Sequence, residues 1–165
     1  MRSVWIISAI TAFAVLTNSA WAQAAKNLTG TWVLVSVTTE RPDGNKIDSL
    51  GENPKGRLDL NVDGSYMIYT AAADFPKFAS NDRFNGTPED YKSVVYNSIA
   101  YIGKYSETDH TIIFNIESCT YPNWSGTIQK RNLVRAGDDT LQYSFAPPGP
   151  AAERGTVTLI WQRGK

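Results

Sequence analysis

The chain has 165 residues, of which 42% are hydrophobic and 12% aromatic, and its 16 basic and 16 acidic side chains give a formal net charge of zero. This length and hydrophobic content predict one globular domain with its own core, and exclude a disordered chain and a two-domain enzyme. The balanced charge argues against nucleic acid as a partner, because binding to a phosphate backbone needs a positive field.

The first 22 residues have the pattern of a secretory signal peptide. Arg2 precedes a mostly apolar run from Val4 to Leu16, and Ala20-Trp21-Ala22 has the small-x-small pattern of a cleavage site. The run is shorter than the ~20 residues that a membrane span requires. We therefore expect a signal peptide over 1–22, a mature domain over 23–165, a periplasmic or secreted location, and no stable membrane insertion after cleavage. An uncleaved membrane anchor is the alternative.

Neither the single cysteine nor the single histidine predicts a reaction. Cys119 has no second cysteine to pair with, and no histidine or helix N-terminus lies near it in sequence to activate the thiol, so its role stays open. His110 follows Asp109 in a predicted turn, where we expect a surface residue. No metal-ligand spacing and no nucleophile elbow are present. We therefore predict no catalytic residue, no metal and no cofactor.

After residue 30 the sequence is a series of short β-branched and aromatic segments separated by turns. Residues 47–56 are predicted to form an ordered loop, and Asp63-Gly64 predicts a two-residue hairpin turn. The predicted strands are 31–39, 57–62, 65–70, 103–108, 111–119, 127–135, 140–145 and 156–161.

One helix is predicted between the third and fourth of these strands. Thr87 is a capping residue, Pro88 suits the first helical position, and apolar residues then recur at helical spacing until Gly103. The aperiodic segment 71–86, which carries three phenylalanines, predicts a packed lid or flap.

This order of elements favours an all-β fold, an eight-stranded antiparallel up-and-down barrel with one short helix. A β-sandwich is the alternative, but it suits the many hairpin-length connections less well. Eight strands enclose an interior just wide enough for side chains or for one small ligand.

Several sequence blocks resemble the bacterial and fungal lipocalin-like domain family. Gly30-Thr31-Trp32 is similar to the family's Gly-x-Trp start, and Arg163 to its closing arginine. The resemblance implies a lipocalin-type barrel with the helix at one end, a small apolar ligand, and a Trp32–Arg163 stack that closes the barrel floor. It implies no reaction. Many members carry a histidine in the strand segment that corresponds to 112–116, and this chain has only apolar residues and Asn115 there, which weakens any transfer of an enzymatic role. The similar blocks are 30–36, 50–56, 63–67, 99–105, 121–127 and 161–163.

Arg131 is the charged residue that the strand pattern places on a candidate inner face. Alternation from Ile128 puts it on the same face as Gln129 and Leu133. If that face points inward, the guanidinium needs a carboxylate, a carbonyl cluster or an anionic ligand head group, because burying an unpaired charge is costly. Glu117 on the preceding strand is the expected partner, and ligand recognition is the alternative.

We therefore predict an exported lipocalin-like protein that binds a small, mostly apolar molecule inside the barrel. An enzyme of the cyclase or isomerase type is one alternative, with Arg131, Glu117 or a tyrosine transferring protons. A filled barrel that acts through its surface is the other. Binding is favoured over catalysis, and the sequence gives neither the ligand nor the oligomeric state. The predicted ligand-binding residues are Tyr66, Ile68, Tyr101, Tyr105, Phe114, Trp124, Arg131 and Tyr143.

Overall fold

The computed structural model describes residues 28–108, 110–137 and 139–165, so the predicted signal peptide and its cleavage site lie outside the described residues. The strands are β1 Gly30–Glu40, β2 Lys46–Asp48, β3 Lys55–Leu60, β4 Ser65–Ala71, β5 Ser98–Thr108, β6 Thr111–Cys119, β7 Ile128–Ala136, β8 Thr140–Phe145 and β9 Thr156–Arg163. The helix α1 is Pro88–Asn97, and short 3₁₀ turns cover Pro122–Trp124 and Gly149–Arg154.

Eight of these strands form a closed antiparallel barrel. From β3 to β9 each strand pairs with the next along the chain, and β1 pairs with both β3 and β9. The closing register places Leu34 opposite Trp161, and Trp32 opposite Arg163 on one side and Leu58 on the other. The three-residue β2 pairs only with the far end of β1. The predicted eight-stranded barrel with one helix is confirmed.

Two local predictions before the helix are wrong. The predicted loop over 47–56 contains the end of β2 and the beginning of β3. The β3–β4 turn has three residues, Val62 to Gly64, rather than two, because the Asn61 N–H donates to the Ser65 carbonyl at 2.9 Å and the Gly64 N–H donates to the Asn61 carbonyl at 3.0 Å. Gly64 has a φ of 76°, which closes the turn in the left-handed region that glycine adopts without strain.

Helix α1 begins as predicted and ends earlier. The Thr87 side chain accepts a hydrogen bond from the Asp90 N–H, and the Asp90 side chain accepts one from the Thr87 N–H, which completes a capping box. The helix ends at Asn97 rather than near Gly103, because residues from Ser98 onward pair with β4. Long-range strand pairing thus outweighs the helical spacing of Ile99 and Ile102. Within the described chain, no helix is long and apolar enough to cross a membrane.

The segment between β4 and α1 is not a packed lid. Phe84 is 81% exposed, and Phe78 contacts only the half-exposed face of the helix, with its ring 5.5 Å from the ring of Tyr91. The segment therefore lies beside the helix rather than in the core.

The two ends of the barrel differ. At the floor, where β1 begins and β9 ends, the Arg163 guanidinium stacks 4.2 Å from the Trp32 ring, and the Trp32 indole N–H donates to the Leu28 carbonyl at 2.8 Å. This confirms the Trp32–Arg163 stack. The opposite end, which we call the mouth, carries α1 and the loops that follow β1, β6 and β8.

Candidate functional site

The barrel has a cavity of about 610 Å³ at its mouth. This volume lies within the ~300–1,000 Å³ typical of small-molecule pockets. We call it the mouth cavity. Its wall comes from the barrel rim, the second half of α1 and the loops after β6 and β8. The residues that line it are Leu50, Thr70, Val94, Val95, Tyr96, Ser98, Ile99, Thr120, Tyr121, Trp124, Pro148, Pro150 and Arg154.

Local hydrogen bonds fix the loop that carries Trp124. The Gly126 N–H donates to the Ile116 carbonyl at 2.7 Å, so the loop returns directly onto β6. The Thr127 hydroxyl donates to the Trp124 carbonyl at 2.7 Å, and the Cys119 N–H donates to the Ser125 hydroxyl at 3.0 Å. Trp124 is therefore held at the rim, with its ring against both the cavity and the barrel interior.

Below Trp124 the interior is filled by a chain of aromatic rings. The Trp124 and Tyr101 rings are 5.9 Å apart, and Tyr101 lies 6.0 Å from Tyr66. Phe114 contacts Tyr66 at 4.6 Å and Tyr143 at 6.3 Å. These tilted and edge-to-face contacts are the geometry that aromatic pairs prefer. The chain of rings therefore occupies the space beneath the mouth cavity.

The eight predicted ligand residues lie in three places. Trp124 lines the mouth cavity, whereas Tyr105 is half-buried nearer the floor, where its hydroxyl donates to the Asn61 carbonyl at 3.2 Å. The cavity thus lies closer to the mouth than the sequence predicted. The other six are buried in the interior below: Tyr66, Ile68, Tyr101, Phe114, Arg131 and Tyr143.

Arg131 points inward, as the alternation of β7 allowed, and is 1% exposed. Its Nη2 donates to the Gln129 Oε1 at 2.7 Å, and its Nη1 to the Lys130 carbonyl at 3.2 Å. The guanidinium carbon also lies 3.7 Å from the centre of the Phe145 ring. Arg131 is therefore held by neutral groups and by a cation–π contact.

The prediction of an ion pair between Arg131 and Glu117 is wrong. Glu117 is exposed, because Ile116 beside it is fully buried and successive residues of a strand face opposite sides. Because Glu117 lies on the outer face, it cannot transfer a proton inside the barrel, as the enzyme alternative had proposed.

The interior tyrosines are neutral hydrogen-bonding groups. Burial raises the pKa of Tyr66 and Tyr101, and raises that of Tyr143 well above its ordinary value. The positive charge of Arg131 opposes the rise in all three without reversing it. Buried polar atoms are normally paired, yet five buried side-chain atoms have no partner in good hydrogen-bond geometry among the described residues: Tyr66 Oη, Glu107 Oε2, Arg131 Nε, Tyr143 Oη and Trp161 Nε1. The last two belong to side chains that interact with each other.

The remaining candidate groups do not add a reactive centre. Burial raises the pKa of the half-buried Cys119 thiol, which is opposite to the shift that activates a nucleophile. His110 is exposed in the turn between β5 and β6. In the part of the chain that the structure describes, no three His, Cys, Asp or Glu residues are grouped to hold a metal ion.

Sequence reasoning missed most of the cavity wall. Leu50, Ile99 and Arg154 come from three segments that are far apart along the chain. Pro148 and Pro150 come from the loop after β8. Nothing in the local pattern indicates that these segments meet at the mouth.

Comparison with known proteins gives a family match and weaker individual likenesses. A sequence model of a family described as a lipocalin-like domain matches residues 29–164. The 4'-hydroxy-3'-methoxypropiophenone carrier protein of Aspergillus oryzae is 28% identical over 81 residues, which are 44% of this chain and 72% of that protein.

Two solved structures are similar to this chain at low sequence identity. A lipocalin-like protein from Bacteroides uniformis is 13% identical with a TM-score of 0.44, covering 84% of this chain and 99% of that one. A redesigned β-barrel is 16% identical with a TM-score of 0.43, covering 86% and 96%.

Proposed function

This chain belongs to the lipocalin-like domain family, and on that premise we propose that it is an exported carrier that holds a small, mostly apolar molecule in the mouth cavity. The proposal concerns binding and transport rather than a reaction.

The observation that carries the proposal is the mouth cavity itself. Its volume of about 610 Å³ suits a small organic molecule. Leu50, Val94 and Ile99 offer apolar surface, whose removal from water contributes roughly 25 cal/mol per Å² to binding. Thr70 and Arg154 are polar groups in the same wall, able to orient a ligand.

The fungal relative supports a carrier function and an aromatic ligand. Its name describes a carrier of 4'-hydroxy-3'-methoxypropiophenone, which is a small aromatic ketone. In this chain Tyr96, Tyr121 and Trp124 line the mouth cavity. Aromatic side chains contribute about 0.5–1.5 kcal/mol per ring contact beyond area burial, so an aromatic ligand suits this wall.

Native mass spectrometry of the protein purified from its own host tests the proposal. We expect a bound small molecule at one per chain, released by unfolding and replaced by an added apolar aromatic compound. A spectrum with no bound mass, together with no saturable binding of aromatic or aliphatic probes, contradicts the proposal.

Export rests on the pattern of residues 1–22. Fractionation of the host followed by intact mass measurement tests it. We expect the mature chain in the periplasm or medium with Gln23 as its first residue. A full-length chain retained in the cytoplasm contradicts export while leaving the carrier proposal unaffected.

A further inference from the structure

Arg131 is a buried cation without a carboxylate partner. The described ion pairs lie at the surface and join Lys46 to Glu40, Arg57 to Asp59 and Lys104 to Asp63. Within the described ranges, no acid lies within ion-pair distance of Arg131. A charge removed from water is costly unless an opposite charge compensates it. The guanidinium therefore has no direct ion pair among the described residues, although Glu107 of β5 has a buried carboxylate oxygen that also has no partner there.

The groups around Arg131 are rich in donors and poor in acceptors. A guanidinium has several N–H donors, and the Nε–H of Arg131 has no partner. The Phe114 ring contacts Arg131, Tyr66 and Tyr143. Among the described residues the Tyr66 hydroxyl has no partner, and the Tyr143 hydroxyl has only the poorly aligned Trp161 side chain. Both phenols are neutral and can donate a hydrogen bond. The Gln129 side-chain oxygen already accepts from Arg131. Such a cluster is complementary to an oxygen anion.

Tyr101 links the mouth cavity to this cluster. Tyr101 contacts Trp124, which lines the cavity, with 5.9 Å between ring centres. Tyr101 also makes a side-chain contact with Arg131 that lowers the tyrosine pKa against the larger effect of burial. The Tyr101 side chain therefore lies between the mouth cavity and the guanidinium, and a ligand in the cavity would contact Arg131 only with Tyr101 displaced.

We propose that the carried molecule has an ionised acidic oxygen, a carboxylate or an acidic phenol, which binds Arg131 together with the Tyr66 and Tyr143 hydroxyls. The apolar part of the molecule then occupies the mouth cavity. This inference rests on the proposed carrier function and adds the chemical class of the ligand. A charge-assisted contact in a desolvated site is stronger than one between neutral groups.

A matched pair of probes, naphthoate and naphthamide, tests the inference by calorimetric titration. The two have the same ring system and differ in charge. We expect the wild-type protein to bind naphthoate about tenfold or more tightly than naphthamide. Arg131→Met should remove this preference by weakening naphthoate, with naphthamide affinity nearly unchanged. Ionised nitrophenol against neutral nitroanisole repeats the comparison and distinguishes a phenolate from a carboxylate.

Lys77→Met is the control variant, because Lys77 is exposed and does not line the mouth cavity. It should keep the preference for the acid. Arg154→Met tests the rival site, because Arg154 is the cation in the wall of the mouth cavity. If Arg154→Met loses the preference and Arg131→Met keeps it, the acid binds at the mouth and the inference is wrong.

Single hydroxyl deletions keep the test decisive if Arg131→Met fails to fold. Tyr66→Phe and Tyr143→Phe remove oxygens that have no well-aligned hydrogen bond within the described part of the chain, so both should fold. Weaker naphthoate binding in these variants supports the inference, and an unchanged acid preference in both contradicts it.

The outcomes separate the two proposals. If neither naphthoate nor naphthamide binds the wild-type protein and the protein from its host has no bound molecule, the carrier function fails. If both bind with equal affinity, the carrier function stands and the acidic ligand is excluded.

Discussion

Trp32 and Trp124 show how one residue type serves two purposes at opposite ends of the barrel. Trp32 is fully buried at the floor and stacks on Arg163, whereas Trp124 is half-buried and lines the mouth cavity. We expect Trp32→Ala to lower the free energy of unfolding by about 3–5 kcal/mol, as is typical of a buried aromatic residue. Trp124→Ala should cost less stability and weaken naphthamide binding. Urea unfolding and calorimetry of both variants measure this; equal losses of stability would contradict it.

At the residue scale, the sequence predicted which face of a strand a side chain lies on better than it predicted which residue that side chain contacts. Alternation in β7 put Gln129 and Arg131 on one face, and both are buried. The error was the choice of Glu117 as the partner. The apolar residues Ile112, Phe114 and Ile116 already mark the inner face of β6, which leaves Glu117 on the outer face. The signal was therefore present in the sequence.

Among the elements, the β5–β6 pair depends on one glycine. Gly103 faces inward beside a register irregularity, and a side-chain carbon added there would overlap with the Asn115 carbonyl oxygen. We expect Gly103→Ala to lower the free energy of unfolding by about 1–3 kcal/mol, the typical cost of overpacking. Gly137→Ala is the control, since an added carbon there meets open space. Comparable destabilisation of the two variants in urea would refute this account.

Helix α1 is held more by its cap than by its packing. None of its residues is buried, so most of its stability comes from local interactions such as the Thr87–Asp90 capping box. We expect Thr87→Ala to destabilise the helix by about 1 kcal/mol, seen as faster amide exchange over 90–97. The global unfolding midpoint should stay nearly unchanged, because the barrel does not depend on the helix. A large fall in that midpoint would show that the helix is part of the core.

The ends of β6 and of α1 were predicted with different success, which shows when a local sequence pattern is sufficient to place the end of an element. β6 was predicted with its correct ends, because alternation and turn residues coincide there. The end of α1 was not predicted correctly, because the apolar residues between Ser98 and Ile102 are compatible with both a helix and a strand. Pairing with β4, which is distant in sequence, decides between them.

For the whole molecule, the sequence predicted the class of fold and not the position of the cavity. The number of strands and their short connections favour a barrel, and the β1–β9 pairing completes it. The mouth cavity instead depends on segments near Leu50, Ile99 and Pro148 that meet only after closure. The aromatic residues predicted to surround a ligand mostly fill the interior below the cavity, because the spacing of residues in a strand says nothing about how fully they pack.

Binding of naphthamide to Ile99→Trp tests the mouth cavity most directly. Ile99 lines the cavity, and a larger side chain there should fill it, whereas Val62→Trp adds the same ring on a floor turn, where Val62 is 92% exposed. We predict saturable one-to-one binding to the wild-type protein and to Val62→Trp, and affinity about tenfold weaker or more in Ile99→Trp, with circular dichroism showing that all three are folded. Equal affinity in the three folded proteins would contradict a ligand site at the mouth.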